Sequence, residues 1–499
     1  MRRLPVLALV TALALTACTP TATGGPTPAP GSSGPSTAPT GPAPGDVVAT
    51  TTVVAGGGEV TIEVHPVVRT GEHAVLTLDL LPSADDLPVH DLFDTEIGVQ
   101  TTPGGAVRLV DLPGGTVSSV ALDADGDAVT TFEPSAQLPA QGLRVTSAYA
   151  APQGDTIGLL LPGAYLPDIP VIDAVPDAGL DLGEVADAPV ATLDSYTREL
   201  DGAVSTLTST EQVVVTLGAD VLFAVDSADL APEALAAVDA AAAHLAGRAP
   251  GTVDVVGHTD DVADEAYNLD LSERRAEAVA AALAERIDMD DYPVRTSGRG
   301  EAEPLVPNDG DANRALNRRV TLTLTSEVVT EVPVEASGEL PPFDDGPTGT
   351  GPEGVEVEAT RPYRVVVPRA TRVEGHLVVE VQVTALDQEK DSVFGVAFLN
   401  GLWSYRGEGN DSPKDALALS VLSGSTAVYP LDYQAGETAG GRPVWFPLGE
   451  TDTLRRIDGG QTLTYVAIYP DVPGVDTVTL QLGSTLGAAP LRLTDVPVE

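Results

Sequence analysis

The sequence predicts a multidomain, mostly β chain. A central α+β domain of order β-α-β-α-β-β, a mixed sheet with two helices on one face, is flanked by two all-β sandwich-like regions. Three observations support this. Residues 46–170 and 355–499 alternate apolar and polar residues in short runs, EVTIEVHPVV and HAVLTLDLL in the first and HLVVEVQV and DTVTLQLG in the second, cut by turns such as PGG, DADGD and PQGD. Between residues 213 and 325 the period of two mixes with one of 3.6. The remaining chain lacks such periodicity: residues 18–45, a connecting segment at 171–212, and a linker at 326–354 rich in proline, glycine and acidic residues.

At 499 residues and 43 % hydrophobic content the chain is long and apolar enough for about three ordinary cores. Its 73 acidic residues against 26 basic ones give a net charge of −47, which repels a phosphate backbone and makes nucleic acid a poor partner.

The amino terminus has the plan of a bacterial export signal over residues 1–17. Arg2 and Arg3 precede an apolar run from Leu4 to Leu15 that is short for a bilayer span. Leu15-Thr16-Ala17-Cys18 resembles the lipobox of bacterial lipoproteins, which implies that Cys18 is lipidated and anchors the chain to a membrane. The alternative is an ordinary secretory signal cut after Ala17. Cys18 is the only cysteine, so no disulfide forms within the chain. Residues 18–45 then read as an extended tether, near 3.1 Å per residue.

The two β regions carry a weak internal repeat: a strand, a proline (Pro66 and Pro368), a short basic turn, a histidine (His73 and His376), then an alternating strand. Neither shows catalytic spacing. His65, His73, His90, His244, His258 and His376 form no HExxH, and GxSxG is absent. Asp123, Asp125 and Asp127 read as a hairpin turn rather than a calcium loop, because the glycine comes too early and no bidentate glutamate closes the motif. Trp403 and Trp445 read as core aromatics rather than sugar platforms. No cofactor, metal or catalysis is expected.

In the central domain VVVTLGADVLF reads as one or two strands. A helix over PEALAAVDAAAAHLAG has Leu235, Val238, Ala242 and Leu245 on one stripe, and the strand TVDVVGHT follows. The next helix is expected to start at Ser272 as N-cap, with Ala276, Val279, Ala280, Leu283 and Ile287 buried, then the strands PVRTSGRG and NRRVTLTLT. That start places Arg274 and Arg275 in a first turn, against the positive end of the helix dipole, where something must compensate. Arg274 would point to solvent and Arg275 to the edge of the core, converging with Thr259 and Asp260 at the end of the preceding strand. A carboxylate beside a guanidinium suits a zwitterion, the one accepting from an ammonium and the other gripping a carboxylate in two parallel hydrogen bonds.

GHTD, Asn268, LSERRA and NRRV, in that order between Val213 and Thr325, resemble the OmpA-like peptidoglycan-binding domain, a family that includes the peptidoglycan-associated lipoproteins and flagellar stator wall anchors. The resemblance implies non-covalent binding of the diaminopimelate of the peptidoglycan stem, with Asp260 and Arg275 as principal ligands and Thr259 and Asn268 as supporting polar contacts. Arg319 either contacts ligand or braces the sheet; bracing is favoured. Ala263 stands where many members have glycine, and Asp261, Asp264, Glu265 and Asp270 make the loop acidic, which should suit ammonium groups. The expected whole is a non-catalytic envelope lipoprotein that tethers a membrane to the wall, its β regions open to an envelope protein partner. The alternative is a wall-associated enzyme or adhesin acting through those regions.

Overall fold

A computed structural model describes residues 41–499 apart from 56, 85–86, 89–92, 94, 98–99, 103–104, 134–136, 177–178, 211, 233, 247, 327–337, 391–394, 402–403, 408–409, 412–415 and 484–488. The export signal, Cys18, most of the tether, His90, Trp403 and part of the 326–354 linker thus lie outside the described residues. Pro42–Glu499 form one compact unit of several sheets with few helices.

In the first β region the strands run in the order 49–55, 58–64, 73–82, 67–70, 164–173, 156–161, 108–111, 116–118, 190–192, with 143–150 also paired to 73–82. Alternation sets the faces: Val60, Ile62 and Val64 are buried with Leu76, Leu78 and Leu80 in one core, while Glu59, Thr61 and Glu63 face away. The aspartates of DADGD form a turn, Asp123 Oδ1 accepting from the backbone N–H of Asp125 and Asp127, each at 2.9 Å.

In the last β region one group of strands runs 355–358, 362–366, 376–385, 370–373, with 462–470 on 376–385. A second runs 426–428, 420–423, 477–482, 491–497, 348–350. Val379, Val381 and Tyr465 of the first group and Val421, Leu480 and Leu493 of the second share one core.

The central sheet is mixed, ordered 294–300, 252–258, 319–325, 212–218, with only the first pair parallel. Helices Ala234–Ala246 and Glu265–Ala284 contribute to its apolar core. Three details differ from expectation. Leu235 is exposed, while Val238, Ala242 and Leu245 are buried as expected, joined by Ala234, Ala237 and Ala241. VVVTLGADVLF is one strand, Gln212–Gly218, followed by the short helix Ala219–Leu222. A further helix, Asp311–Asn317, precedes the last strand.

The larger difference is continuity. Ser195–Glu199 pairs on one side with Val204–Thr208 and on the other with Thr426–Val428, so the central sheet and the second group of C-terminal strands form one sheet of 11 strands. The segment 171–212, expected as a connector, thus supplies strands at Val190–Thr192, Ser195–Glu199 and Val204–Thr208. Strands of three to five residues are too short to show a period in sequence. The 326–354 linker is also partly built in: Thr348–Thr350 is a strand, Arg492 Nη1 donates to the Pro341 carbonyl at 2.7 Å, and the Arg492 guanidinium lies 4.7 Å from the Phe343 ring centroid.

Candidate ligand site in the central domain

The strand Thr252–His258 delivers Thr259 and Asp260, both buried, to the start of a short loop. That loop ends at Asp264, the N-cap of the 20-residue helix Glu265–Ala284, whose carboxylate accepts from the Tyr267 N–H at 2.9 Å. Ser272 is therefore not the cap. It sits inside the helix, where its Oγ donates to the Leu269 carbonyl at 2.8 Å and accepts from the Gly300 N–H at 2.9 Å. A Cβ on Gly257 would lie 2.0 Å from the Ser272 carbonyl oxygen, so helix and strand touch at this point. The true start was hidden because the first two turns are mostly polar and Leu269 and Tyr267 are exposed, leaving no apolar stripe before Leu271.

The dipole mismatch expected for Arg274 and Arg275 does not exist, since both lie mid-helix, where the macrodipole has no terminal charge. Arg274 is a solvent residue paired with Asp270 one turn earlier at 2.9 Å. Arg275 is 5 % exposed; its Nε donates to the Ser227 carbonyl at 2.9 Å, and its guanidinium sits 5.1 Å from the centroid of the Phe223 ring. Among the described residues no ion pair engages it. Burial lowers its pKa, opposed chiefly by the nearby carboxylate of Asp220.

Asp260 is held by a residue that sequence reading passed over. Arg318 Nη1 donates to Asp260 Oδ2 at 2.6 Å, while its Nε and Nη2 grip both oxygens of Asp220 at 2.7 and 2.5 Å. The bidentate bond to Asp220, with that to Asp260, raises the Arg318 pKa. Asp260 and Asp220 thus face Arg318, with Arg275 beside them, a set of two carboxylates and two guanidinium groups.

Arg319 points away from this set, as neighbouring residues entering a strand do. It is buried, donates to the carbonyls of Asn317 and Glu303 at 3.3 and 3.2 Å, and burial lowers its pKa to about 10. Asn268 Nδ2 ties the loop together, bonding the carbonyls of Asp260 and Ala263 at 3.2 and 3.4 Å and Glu301 Oε2 at 2.6 Å. Thr259 Oγ1 is buried without a hydrogen-bond partner among the described residues. The neighbouring His258 is neutral, its pKa lowered to about 3 by burial and then by Arg319 and Arg299. The acidic loop is largely spent internally: Asp264 caps the helix, Asp270 pairs with Arg274, and Asp261 pairs with Arg314 at 2.9 Å.

Alternation alone could have found Arg318, because a partner for Asp260 at NRRV must be the arginine that Arg319 is not. Nothing local marks Asp220, which lies 98 residues away in sequence.

Residues 222–318 match the OmpA family. Over 110 residues the chain is 36 % identical to outer membrane protein A of Bordetella avium, a match covering 22 % of this chain and 56 % of that protein. Over 122 residues it is 33 % identical to the probable lipoprotein YiaD of Escherichia coli, covering 24 % and 55 %. The chain therefore spans about half the length of these two curated relatives. Among solved structures, the cell wall anchor of the T6SS from Pseudomonas aeruginosa is 33 % identical, with 25 % of this chain and 89 % of that chain covered and a TM-score of 0.22. Among the described residues no helix is long and apolar enough to cross a membrane. The segment that carries Thr259, Asp260, Asn268, Arg275 and Arg318 is an OmpA family domain, set in the middle of a longer, mostly β chain.

Proposed function

We propose that the protein is a cell-envelope lipoprotein that holds a membrane to the cell wall, anchored by lipid on Cys18 and bound non-covalently to peptidoglycan through its central domain. Arg275 receives a carboxylate of the stem diamino acid and Asp260 its ammonium group; Asn268 holds the loop and Thr259 offers a free hydroxyl. Arg319 braces the sheet. The observation that carries this reading is Arg275 itself, a nearly buried guanidinium that forms no ion pair among the described residues, inside a domain that matches the OmpA family. A buried cation with no direct ion-pair partner is costly to the fold, and a bound anionic group reduces that cost. The ammonium end must compete with Arg318 for Asp260, so binding includes a shift of Arg318 towards Asp220.

The two β regions are read as sandwich-like mounts that carry the wall-binding domain and present a surface to an envelope protein partner. No catalytic role is assigned to them. Purified protein incubated with cell-wall sacculi is expected to pellet with them and to release no soluble wall fragments. Release of fragments would show hydrolysis, and failure to pellet would remove the wall-binding reading. In cells, Cys18→Ala is expected to leave the membrane fraction once the wall is digested; a variant that stays there would show that the anchor is not the lipidated cysteine.

A further inference from the structure

The β regions before and after the central domain share one strand plan, apart from the small pairs 87–88/137–138 and 95–97/100–102 in the first and 432–437/443–447 in the second. Strands 49–55, 58–64, 73–82 and 67–70 of the first are ordered as 355–358, 362–366, 376–385 and 370–373 of the second, and 143–150 lies on 73–82 as 462–470 lies on 376–385. Strand 156–161 pairs with 108–111 as 477–482 pairs with 420–423, and in the same register: Leu160 opposite Arg108 and Leu159 opposite Leu109, against Gln481 opposite Ser420 and Leu480 opposite Val421. Each hairpin that follows has its β-bulge at the same place, between Ile157 and Leu159 and between Val478 and Leu480.

Details that topology does not require also coincide. Asp168 and Asp495 stand at φ of 57° and 53°, a conformation rare for non-glycine residues. Each lies in the pattern Leu-x-Asp-[Ile/Val]-Pro-Val, Leu166–Val171 and Leu493–Val498. The valine closing each pattern makes a parallel pairing to the first residue of the same short strand, Val171 to Val67 and Val498 to Ala370. Tyr149 and Tyr469, both fully buried, donate their hydroxyls to the carbonyls of Val107 and Leu419, the residues just before the matching strands 108–111 and 420–423. Even the last strand corresponds. Val190–Thr192 flanks 116–118 and Ser195–Glu199 flanks 426–428, so one stretch of chain completes both sheets in turn.

We propose that the chain contains two copies of one β unit, that the face on strands 108–111, 156–161 and 164–173 of the first copy recognises the face on 376–385 and 462–470 of the second, and that the OmpA domain is inserted where the chain passes from one copy to the other. The joint is visible as an apolar cluster shared by Val110, Leu160 and Tyr165 of the first copy with Val378, Val466 and Ile468 of the second. Arg108 crosses it, donating to the Gly449 carbonyl at 2.9 Å. Different faces meet, so the contact is heterologous and could in principle repeat along an open array.

Both free ends are sealed instead. On the second copy, the positions matching Arg108, Leu160 and Tyr165 are Ser420, Gln481 and Arg492, a polar set. Arg492 there binds Gln481 and the Pro341 carbonyl and lies over Phe343. On the first copy, the positions matching Val378 and Ile468 are Val75 and Ala148. Both are buried, and Ala148 packs with Ala121 and Val129 of the first region and with Leu180 and Leu182 of the segment that follows it. End copies with altered outer faces are what a finite stack needs to stay soluble. In consequence the OmpA domain is carried on a rigid two-unit mount, joined to it through a continuous strand ladder.

Two experiments on the full chain test this. A crystal structure is expected to superpose the ten matched strands of the two copies by a single rotation, in the register that places Asp168 on Asp495 and Tyr149 on Tyr469. A need for more than one rotation, or a one-residue slip that exchanges inner and outer faces, overturns the duplication. The pair Leu160→Gln with Tyr165→Arg, which writes second-copy residues into the first, is expected to open the joint: the sedimentation coefficient falls while the β signal in circular dichroism persists. Its reciprocal, Gln481→Leu with Arg492→Tyr, is expected to keep the β signal as well. Loss of the β signal in either pair would mean that these positions belong to a unit's own core, and an unchanged sedimentation coefficient in the first would mean that the face does not hold the joint; both results overturn the proposal.

Discussion

Arg406→Met is expected to destabilise the folded chain by about 3–5 kcal/mol, read as a shift of the denaturant midpoint at pH 8. Arg406 is inserted between two buried carboxylates. It bonds Asp194 at 3.0 Å and grips both oxygens of Asp432, while its guanidinium lies 3.5 Å from the Trp445 ring centroid. Asp194 and Asp432 also pair through their backbones, at the point where the chain leaves strand Val190–Thr192 for Ser195–Glu199. Methionine retains much of the packing on Trp445 but leaves both carboxylates without a counter-ion.

The loss should shrink in mild acid. Burial raises the Asp194 pKa to about 6, against the pull of Arg406, and burial raises that of Asp432 as well. A carboxyl whose folded pKa exceeds its unfolded value near 4 binds more protons in the folded state. In the parent chain this contribution therefore weakens stability as pH rises from about 4 to about 6 and is constant above. Without Arg406 both carboxyl pKa values rise further and the window moves upward, so the variant should recover part of its stability between pH 8 and pH 5. Asp432→Asn in the Arg406→Met background should recover part of it at pH 8. A loss below about 1 kcal/mol, or one that is equal at pH 5 and pH 8, would show that the cluster does not hold the junction.

Arg275→Ala is expected to weaken sacculus binding by about tenfold or more, the loss of a charge-assisted contact. Arg274→Ala is the control: it removes the same charge one residue away, from an exposed pair with Asp270 worth only about 0.3–0.5 kcal/mol, and should leave binding nearly intact. Arg275→Lys should recover only part of the affinity, because an ammonium cannot reproduce the two-pronged grip on a carboxylate. Arg275 is also packed on Phe223, so thermal melts must first show each variant folded. Equal losses for Arg274→Ala and Arg275→Ala would mean a diffuse charge effect and no specific site.

The sequence by itself determined what local pattern can encode. Alternation marked the long strands His73–Pro82 and His376–Ala385, since a period of two follows from the pleat alone. Val279 and Leu283 mark the buried stripe of the long helix at helical spacing, and GHTD, LSERRA and NRRV marked the domain that matches the OmpA family. The tertiary structure alone decided where that helix begins, because its first two turns bury too little to leave a stripe and only Asp264 fixes the cap. It also decided that Asp260 is held by Arg318 rather than by Arg275, an outcome of side-chain direction at a strand entry. Lastly it decided that three predicted domains are one compact unit. Strand edges carry unpaired N–H and C=O groups that bond whatever edge the fold brings alongside, and the union of Ser195–Glu199 with Thr426–Val428 spans more than two hundred residues of sequence.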